Sequence, residues 1–259
     1  MTIYKIKCSN CGSNFETIGK PHQKFCSISC GSKSRKTNII DKDIFKDGWN
    51  PVNSYLAGMI WSDGNLSFAK GGTPKISIYS RDKEHIEKLF LEFGSDRKIY
   101  SAKNWQGNYG HMIYTSSLSD HSFLSNSGLI PNKSLVIKEP SGIMSFSKYF
   151  LLGFFDGDGS VSLTPRKNGT KKYISITFTT GSKNLKNWIR NILTINNIDS
   201  TERIDGRCGD PSYTLNDIYT ISVSSKKNNV KRFFDFIYSD LSVPYMERKY
   251  QKFLEYFSQ

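Results

Sequence analysis

The chain has 259 residues, 37% hydrophobic and 14% aromatic, enough to bury a proper core in one large domain or two small ones, which excludes a disordered protein. Lys and Arg number 36 against 23 Asp and Glu, a formal charge of +13 that suits a polyanion better than an acidic small molecule but does not choose between nucleic acid and an anionic membrane surface. No run of ~18 apolar residues and no signal-peptide pattern occurs, so the expectation is a soluble intracellular protein without a membrane partner, in cytoplasm, nucleoid or organelle.

The chain opens on Cys8-x-x-Cys11 and Cys26-x-x-x-Cys30. In an intracellular setting two such short clusters direct four thiolates at one tetrahedral centre, which is zinc chemistry rather than disulfide chemistry. Gly12 fits a tight knuckle turn, Phe15 and Phe25 supply a minimal core, and His22 is a substitute ligand that a complete four-cysteine shell does not need. Residues 1–37 therefore read as a zinc-binding module with one structural site, similar to treble-clef zinc modules. It ends in Lys33, Arg35 and Lys36, cations placed to meet phosphate. Residues 38–52, with Gly48, Asn50 and Pro51, read as a linker.

Beyond the linker, two stretches nearly repeat each other: Tyr55-Leu56-Ala57-Gly58-Met59-Ile60-Trp61-Ser62-Asp63-Gly64 and Phe150-Leu151-Leu152-Gly153-Phe154-Phe155-Asp156-Gly157-Asp158-Gly159. Each reads as an apolar helix ending in an acid and a glycine, the glycine predicted as a left-handed cap. Gly58 and Ser62, like Gly153 and Gly157, lie four apart and put small residues on one face, so two backbones can approach and bring Asp63 and Asp158 side by side. Paired carboxylates beside helix-end carbonyls form a hard-oxygen site whose repulsion a divalent cation relieves, and a two-metal phosphodiester cut is the chemistry such a site suits.

Each copy continues as helix, strand, strand, helix, strand, strand, helix. In the first, strands are expected near Asn65–Ala69, Lys75–Ser80, Arg97–Lys103 and His111–Ser116, with a helix near Lys83–Phe93. In the second they are expected near Ser160–Pro165, Tyr173–Thr180, Thr201–Asp205 and Ile218–Ser224, with a helix near Lys183–Asn196. Ile76 and Ile78 turn inward while Lys75, Ser77 and Tyr79 turn outward; Ile174, Ile176 and Phe178 oppose Ser175, Thr177 and Thr179; Tyr219, Ile221 and Val223 oppose Thr220, Ser222 and Ser224. The fold class is α+β: duplicated αββαββα repeats over 53–147 and 148–259 plus the small zinc module. A donor-rich outer sheet face suits the DNA major groove, with Arg81, Arg166, Lys167, Lys171 and Lys172 as phosphate anchors in adjoining turns.

These motifs resemble the signature of the LAGLIDADG homing endonucleases, two-repeat monomeric type, across roughly residues 53–259. Leu56-Ala57-Gly58 with Asp63-Gly64, and Leu151-x-Gly153 with Asp156-x-Asp158-Gly159, carry the match, while Trp61 stands where the motif has its earlier acid. Gly128-Leu129-Ile130-Pro131-Asn132-Lys133-Ser134 resembles the segment before the last helix of the first repeat, and Met246-Glu247-Arg248-Lys249-Tyr250 its partner in the second. The resemblance implies a pseudo-twofold, DNA-binding saddle and an intron-encoded, monomeric, site-specific endonuclease that makes a staggered double-strand break. Asp63 and Asp158, with carbonyls of Ser62 and Gly157, would hold two or more shared magnesium ions, and Lys133 and Lys249 would stabilise transition-state charge. Lys33, Arg35, Lys36, Lys75, Ser77, Tyr79, Arg81, Arg166, Lys172, Ser175, Thr177, Thr179, Thr220, Ser222 and Ser224 are the expected DNA-binding set. Double-stranded DNA is the expected partner.

The alternative is an RNA maturase acting on intron RNA, or a non-cleaving sequence-specific DNA-binding protein of the same fold; neither needs both acids. A protein-splicing element disagrees with the ends Met1-Thr2 and Ser258-Gln259, and the four histidines form no recognisable cluster for a histidine-metal nuclease.

Overall fold

A computed structural model of the chain describes residues 2–35, 43–93, 98–103, 107, 109–131, 133–166, 172–206 and 217–259. The chain divides into two compact units, residues 1–40 and 41–259. In the first, β1 (Ile3–Lys7) and β2 (Asn14–Ile18) form an antiparallel hairpin in register from Ile3 opposite Ile18 to Lys7 opposite Asn14, followed by α1 (Ile28–Arg35). Phe15 and Phe25 are only half-buried there, and Cys8 is its one buried apolar side chain among the described residues.

The second unit begins to pack inside the stretch read as linker. Phe45 is fully buried, stacked on Phe123 and edge-on to Trp49. The Asp120 carboxylate accepts the backbone N–H groups of Ile44 and Phe45 at 3.0 and 2.9 Å. Asn50 then starts α2 (Pro51–Asp63) through a reciprocal capping box with Asn53, and Pro51 occupies the first turn, where its missing N–H costs nothing.

Two repeats follow. The first holds α2, β3 (Gly64–Phe68), β4 (Pro74–Ser80), α3 (Lys83–Phe93), β5 (Tyr100–Lys103), β6 (Tyr109–Thr115) and α4 (Leu118–Asn126). The second holds α5 (Ser147–Asp158), β7 (Gly159–Pro165), β8 (Lys172–Thr180), α6 (Lys183–Ile195), β9 (Ser200–Gly206), β10 (Asp217–Val223), α7 (Lys227–Ile237) and α8 (Glu247–Phe257). Each makes a four-stranded antiparallel sheet with one topology, β3-β4-β6-β5 and β7-β8-β10-β9. Strand alternation holds: Ile76, Ile78, Ile174, Ile176, Phe178 and Ile221 are buried toward the helices. On α6, Leu185, Ile189, Ile192 and Leu193 recur at helical spacing and are buried, each worth about 1.5–3 kcal/mol against leaving it exposed.

Two expectations change. In the first repeat the last helix, α4, precedes the Gly128–Ser134 segment instead of following it, and Lys133–Leu135 is only a 3-10 turn. The matching segment of the second repeat does lead into a helix, α8, so the two halves differ by one element. The terminal glycines are also not left-handed caps: Gly64 has φ −95° and Gly159 φ −89°, both extended. Each helix runs straight into a strand. Glycine is needed there for clearance, because a Cβ on Gly64 would lie 2.6 Å from the Ile60 carbonyl oxygen, and one on Gly159 2.8 Å from Phe155 Cα.

α2 and α5 pack directly against each other. A Cβ on Gly58 would sit 2.6 Å from the Phe154 nitrogen, and one on Gly153 would sit 3.1 Å from the Met59 nitrogen. The small residues therefore let two backbones touch, as their spacing predicts.

Candidate active site at the paired helix ends

At the C-terminal tips of α2 and α5, Gly157 packs on Ser62 so closely that an added Cβ would lie 2.5 Å from Ser62 Cβ and 3.3 Å from Asp63 Oδ2. The Ser62 hydroxyl donates back to the Gly58 and Met59 carbonyls at 3.1 Å, which fixes it inside the contact. Asp63 and Asp158 emerge beside each other, both exposed to solvent. Their protein surroundings disfavour the charged form: Asp63 is raised by desolvation, and Asp158 is raised to about 6 by desolvation and by the Asp63 charge. Two carboxylates that repel at a solvent-open tip are the donor set a divalent cation fits, since it removes the repulsion and accepts hard oxygen ligands.

Beneath the tips lie the two lysines. Lys133 donates to the Ile60 carbonyl at 2.6 Å and also to the Gly64 carbonyl. Lys249 donates to the carbonyls of Phe155 (2.5 Å), Asp156 (2.9 Å) and Gly159 (2.6 Å). Each ammonium thus neutralises the negative end of a helix, sharing the Ile60 and Phe155 carbonyls with the Gly64 and Gly159 N–H groups and gathering further carbonyls at the strand entry. Both are buried, and burial lowers both to about 8 against the pull of the neighbouring acids.

The earlier motif position shows why Trp61 and Asp156 differ without breaking the fold. The Trp61 indole N–H donates to the Lys138 carbonyl at 2.8 Å, and its ring packs edge-on against Phe150. Asp156, fully buried, accepts from the Tyr55 hydroxyl (2.7 Å) and the Met246 N–H (2.8 Å). Both residues tie their helix to the segment that carries the following lysine or its approach. Tyr55 also meets His85 Nε2 at 3.0 Å, linking the repeats through a buried chain that the motif alone did not reveal.

The outer sheet faces are only partly as expected. In the second sheet Ser160 and Ser222 both oppose Thr177, Ser162 opposes Ser175, and Thr220 opposes Thr179, a continuous hydroxyl surface. Ser160 and Ser162 belong to it and were not singled out, though their two-residue alternation marks them. Thr220 is engaged with Asp205 at 3.1 Å, and Ser224 lies just past β10. In the first sheet Tyr79 is exposed, Lys75 sits 4.9 Å over the Tyr114 ring, and Ser77 is buried at 8% exposure. Arg81 and Arg166 are exposed, Arg166 lies 4.3 Å over the Tyr173 ring, and Lys172 pairs with Glu255. Lys33 and Arg35 lie on α1, while Lys36, Lys167, Lys171 and Asn132 fall outside the described residues.

In the N-terminal unit the four Sγ atoms of Cys8, Cys11, Cys26 and Cys30 lie within 4.8 Å of one another. Cys11 and Cys26 are 3.7 Å apart and Cys26 and Cys30 3.5 Å, too far for disulfides and close to the edge of about 3.8 Å expected for a tetrahedron of 2.3 Å zinc–sulfur bonds. Backbone N–H groups of Cys11 and Cys26 lower Cys8 to about 6, toward the thiolate a metal needs, while the crowded thiols raise Cys26 to about 12. The donor set fits zinc, and His22 is not part of the cluster.

Residues 145–238 match the model of the LAGLIDADG-like domain. No curated protein matches the chain. Among solved structures, the homing endonuclease I-WcaI bound to its DNA recognition sequence aligns with TM-score 0.53 at 15% identity, covering 90% of this chain and 93% of that one. LAGLIDADG homing endonuclease I-GzeII in complex with DNA target aligns with TM-score 0.51 at 14% identity, covering 81% and 89%. The matched segment, the duplicated sheets and the two acid-tipped helices agree: this chain carries a LAGLIDADG-like domain and has the two-repeat LAGLIDADG fold.

Proposed function

We propose that the protein is a monomeric, site-specific DNA endonuclease that makes a staggered double-strand break by divalent-metal-dependent phosphodiester hydrolysis. The observation that carries this reading is the meeting of Asp63 and Asp158 at the tips of two glycine-packed helices, each tip underlain by a buried lysine. Asp63 and Asp158, with the Ser62 and Gly157 carbonyls, would hold magnesium, which when bound supplies Lewis-acid neutralisation of developing phosphate charge. The side chains do the rest. The two carboxylates would hold the ion. Lys133 and Lys249 fix the helix ends and keep two positive charges below the reacting phosphates, acting as electrostatic support in a low-dielectric setting. The hydroxyl and tyrosine faces of the sheets would lie along the major groove, with Arg81, Arg166 and Lys172 beside the backbone.

Zinc in the four-cysteine cluster would be structural, holding together a unit with little apolar core of its own. Among the described residues, no helix is long and apolar enough to cross a membrane.

The test is selection of cleaved sites from a random duplex library with magnesium, followed by Asp63→Asn and Asp158→Asn on the selected site. Each variant should lose double-strand cutting by roughly three orders of magnitude or more while binding within about threefold of the parent, since neither acid contributes attraction to phosphate. Parental cutting by Asp63→Asn would remove the assignment. A parent that binds a duplex chosen by affinity selection, or an intron RNA, but never cuts either strand would replace it with the non-cleaving alternative.

A further inference from the structure

Resting on that reading, the next question is which side chain touches the phosphate backbone beside Asp63. Lys249 does not have a proton to give: an ammonium has three, and Phe155, Asp156 and Gly159 take all three. A cleft of about 710 Å³ opens beside Asp63 and Gly157, and its other walls include Arg81, Asp82 and Arg248. Arg248 immediately precedes Lys249, and its side chain is 58% exposed. Its Nε donates to Asp82 Oδ2 at 3.2 Å, a contact from the second repeat to the first that engages Nε rather than the terminal amino groups that fork onto a phosphate. The corresponding position of the first repeat, just before Lys133, is Asn132, which carries no charge.

We propose that Arg248 exchanges its contact with Asp82 for a backbone phosphate of the bound DNA in this cleft, and that the lack of a cationic counterpart at Asn132 makes the two strands unequally held. Asp82 is then a competitor that parks the guanidinium until DNA arrives. The alternative is a strap that only ties the repeats together. The two differ in sign: removing a competitor strengthens DNA binding, whereas removing either end of a strap weakens the protein.

Arg248→Ala, Arg248→Lys and Asp82→Asn answer this in the full chain, with affinity for the selected duplex measured across salt concentrations and strand-resolved cutting followed by end label. Arg248→Ala should lower affinity, reduce the magnitude of the log–log salt slope by about one, and slow one strand about tenfold or more while the other changes by less than about threefold. Nicked circles should accumulate from a supercoiled plasmid. Arg248→Lys should restore part of the salt slope and less of the rate, because it returns the charge without the fork. Asp82→Asn should raise affinity. Equal slowing of both strands, an unchanged salt slope, or a loss of affinity in Asp82→Asn that parallels Arg248→Ala would each overturn the proposal. If the parent cuts neither strand, the endonuclease reading fails, but the salt slope measured on a duplex chosen by affinity selection still decides the arginine contact.

Discussion

His85 is buried at 2% exposure against the Tyr55 hydroxyl, and desolvation holds it down to about 4 from an ordinary 6.5. An unfolded chain takes up this proton near pH 6.5 while the folded chain refuses it until about pH 4, so the neutral imidazole contributes stability that is complete above 6.5 and lost as pH falls toward 4. Urea unfolding at pH 7 and pH 4.5 should show the parent losing about 2–3 kcal/mol more than His85→Gln over that interval; parallel losses would mean the imidazole is not the acid-sensitive group. This chain of Tyr55, His85 and Asp156 was not legible in the sequence, because its members are far apart along the chain and belong to different elements. Asp63 and Asp158 stand out in the sequence because the motif occurs twice, whereas Lys133 and Lys249 stand out only through the resemblance. What the repeat did not state is where the lysines place their protons: on helix-end and strand-entry carbonyls that the extended backbone at Gly64 and Gly159 brings together.

At the scale of elements, the α2–α5 contact is the joint on which the site depends. Gly153→Ala adds a methyl 3.0 Å from the Tyr55 carbonyl carbon and 3.1 Å from the Met59 nitrogen, with only backbone to give way. Its helix-propensity gain of about 1 kcal/mol is outweighed by overpacking, for an expected net loss of about 2–4 kcal/mol in chemical denaturation. A variant as stable as the parent would show that the helices slide apart freely. Apart from β5, which begins at Tyr100 rather than near Arg97, strands were readable to within a residue or two by alternation, as in Lys172–Thr180, where one face is buried and the other is not. The order of α4 and the Gly128–Ser134 segment was not readable. A short polar helix such as Leu118–Asn126 has a weak apolar stripe, so periodicity gives it little signal.

For the whole molecule, the two units have separate sources of cohesion, four sulfurs in one and a contiguous apolar core in the other. Metal analysis should find one zinc per chain, and stripping it with a strong chelator should expose four thiols to reagent while the main thermal transition, set by residues 41–259, moves by less than about 3 °C. A large fall of that transition would tie the core to the metal. The segment read as linker over residues 38–52 proves to pack in part within the second unit. Gly48, Asn50 and Pro51 look like linker residues because turns and caps use the same side chains. Only the packing of Phe45 and the reach of Asp120 reveal that Ile44 and Phe45 are anchored in the core.

The direct passage from helix to strand at Asp63–Gly64 and Asp158–Gly159 leaves no hinge between the acids and the sheets. On the proposed reading, the first side chains able to touch a base, Asn65 and Ser160, are rigidly continuous with the cutting tips. Recognition and alignment would then be a single mechanical act with no later closing step. Redesign of target preference is best begun at the far ends of the strands, where a shifted side chain does not drag the carboxylates with it.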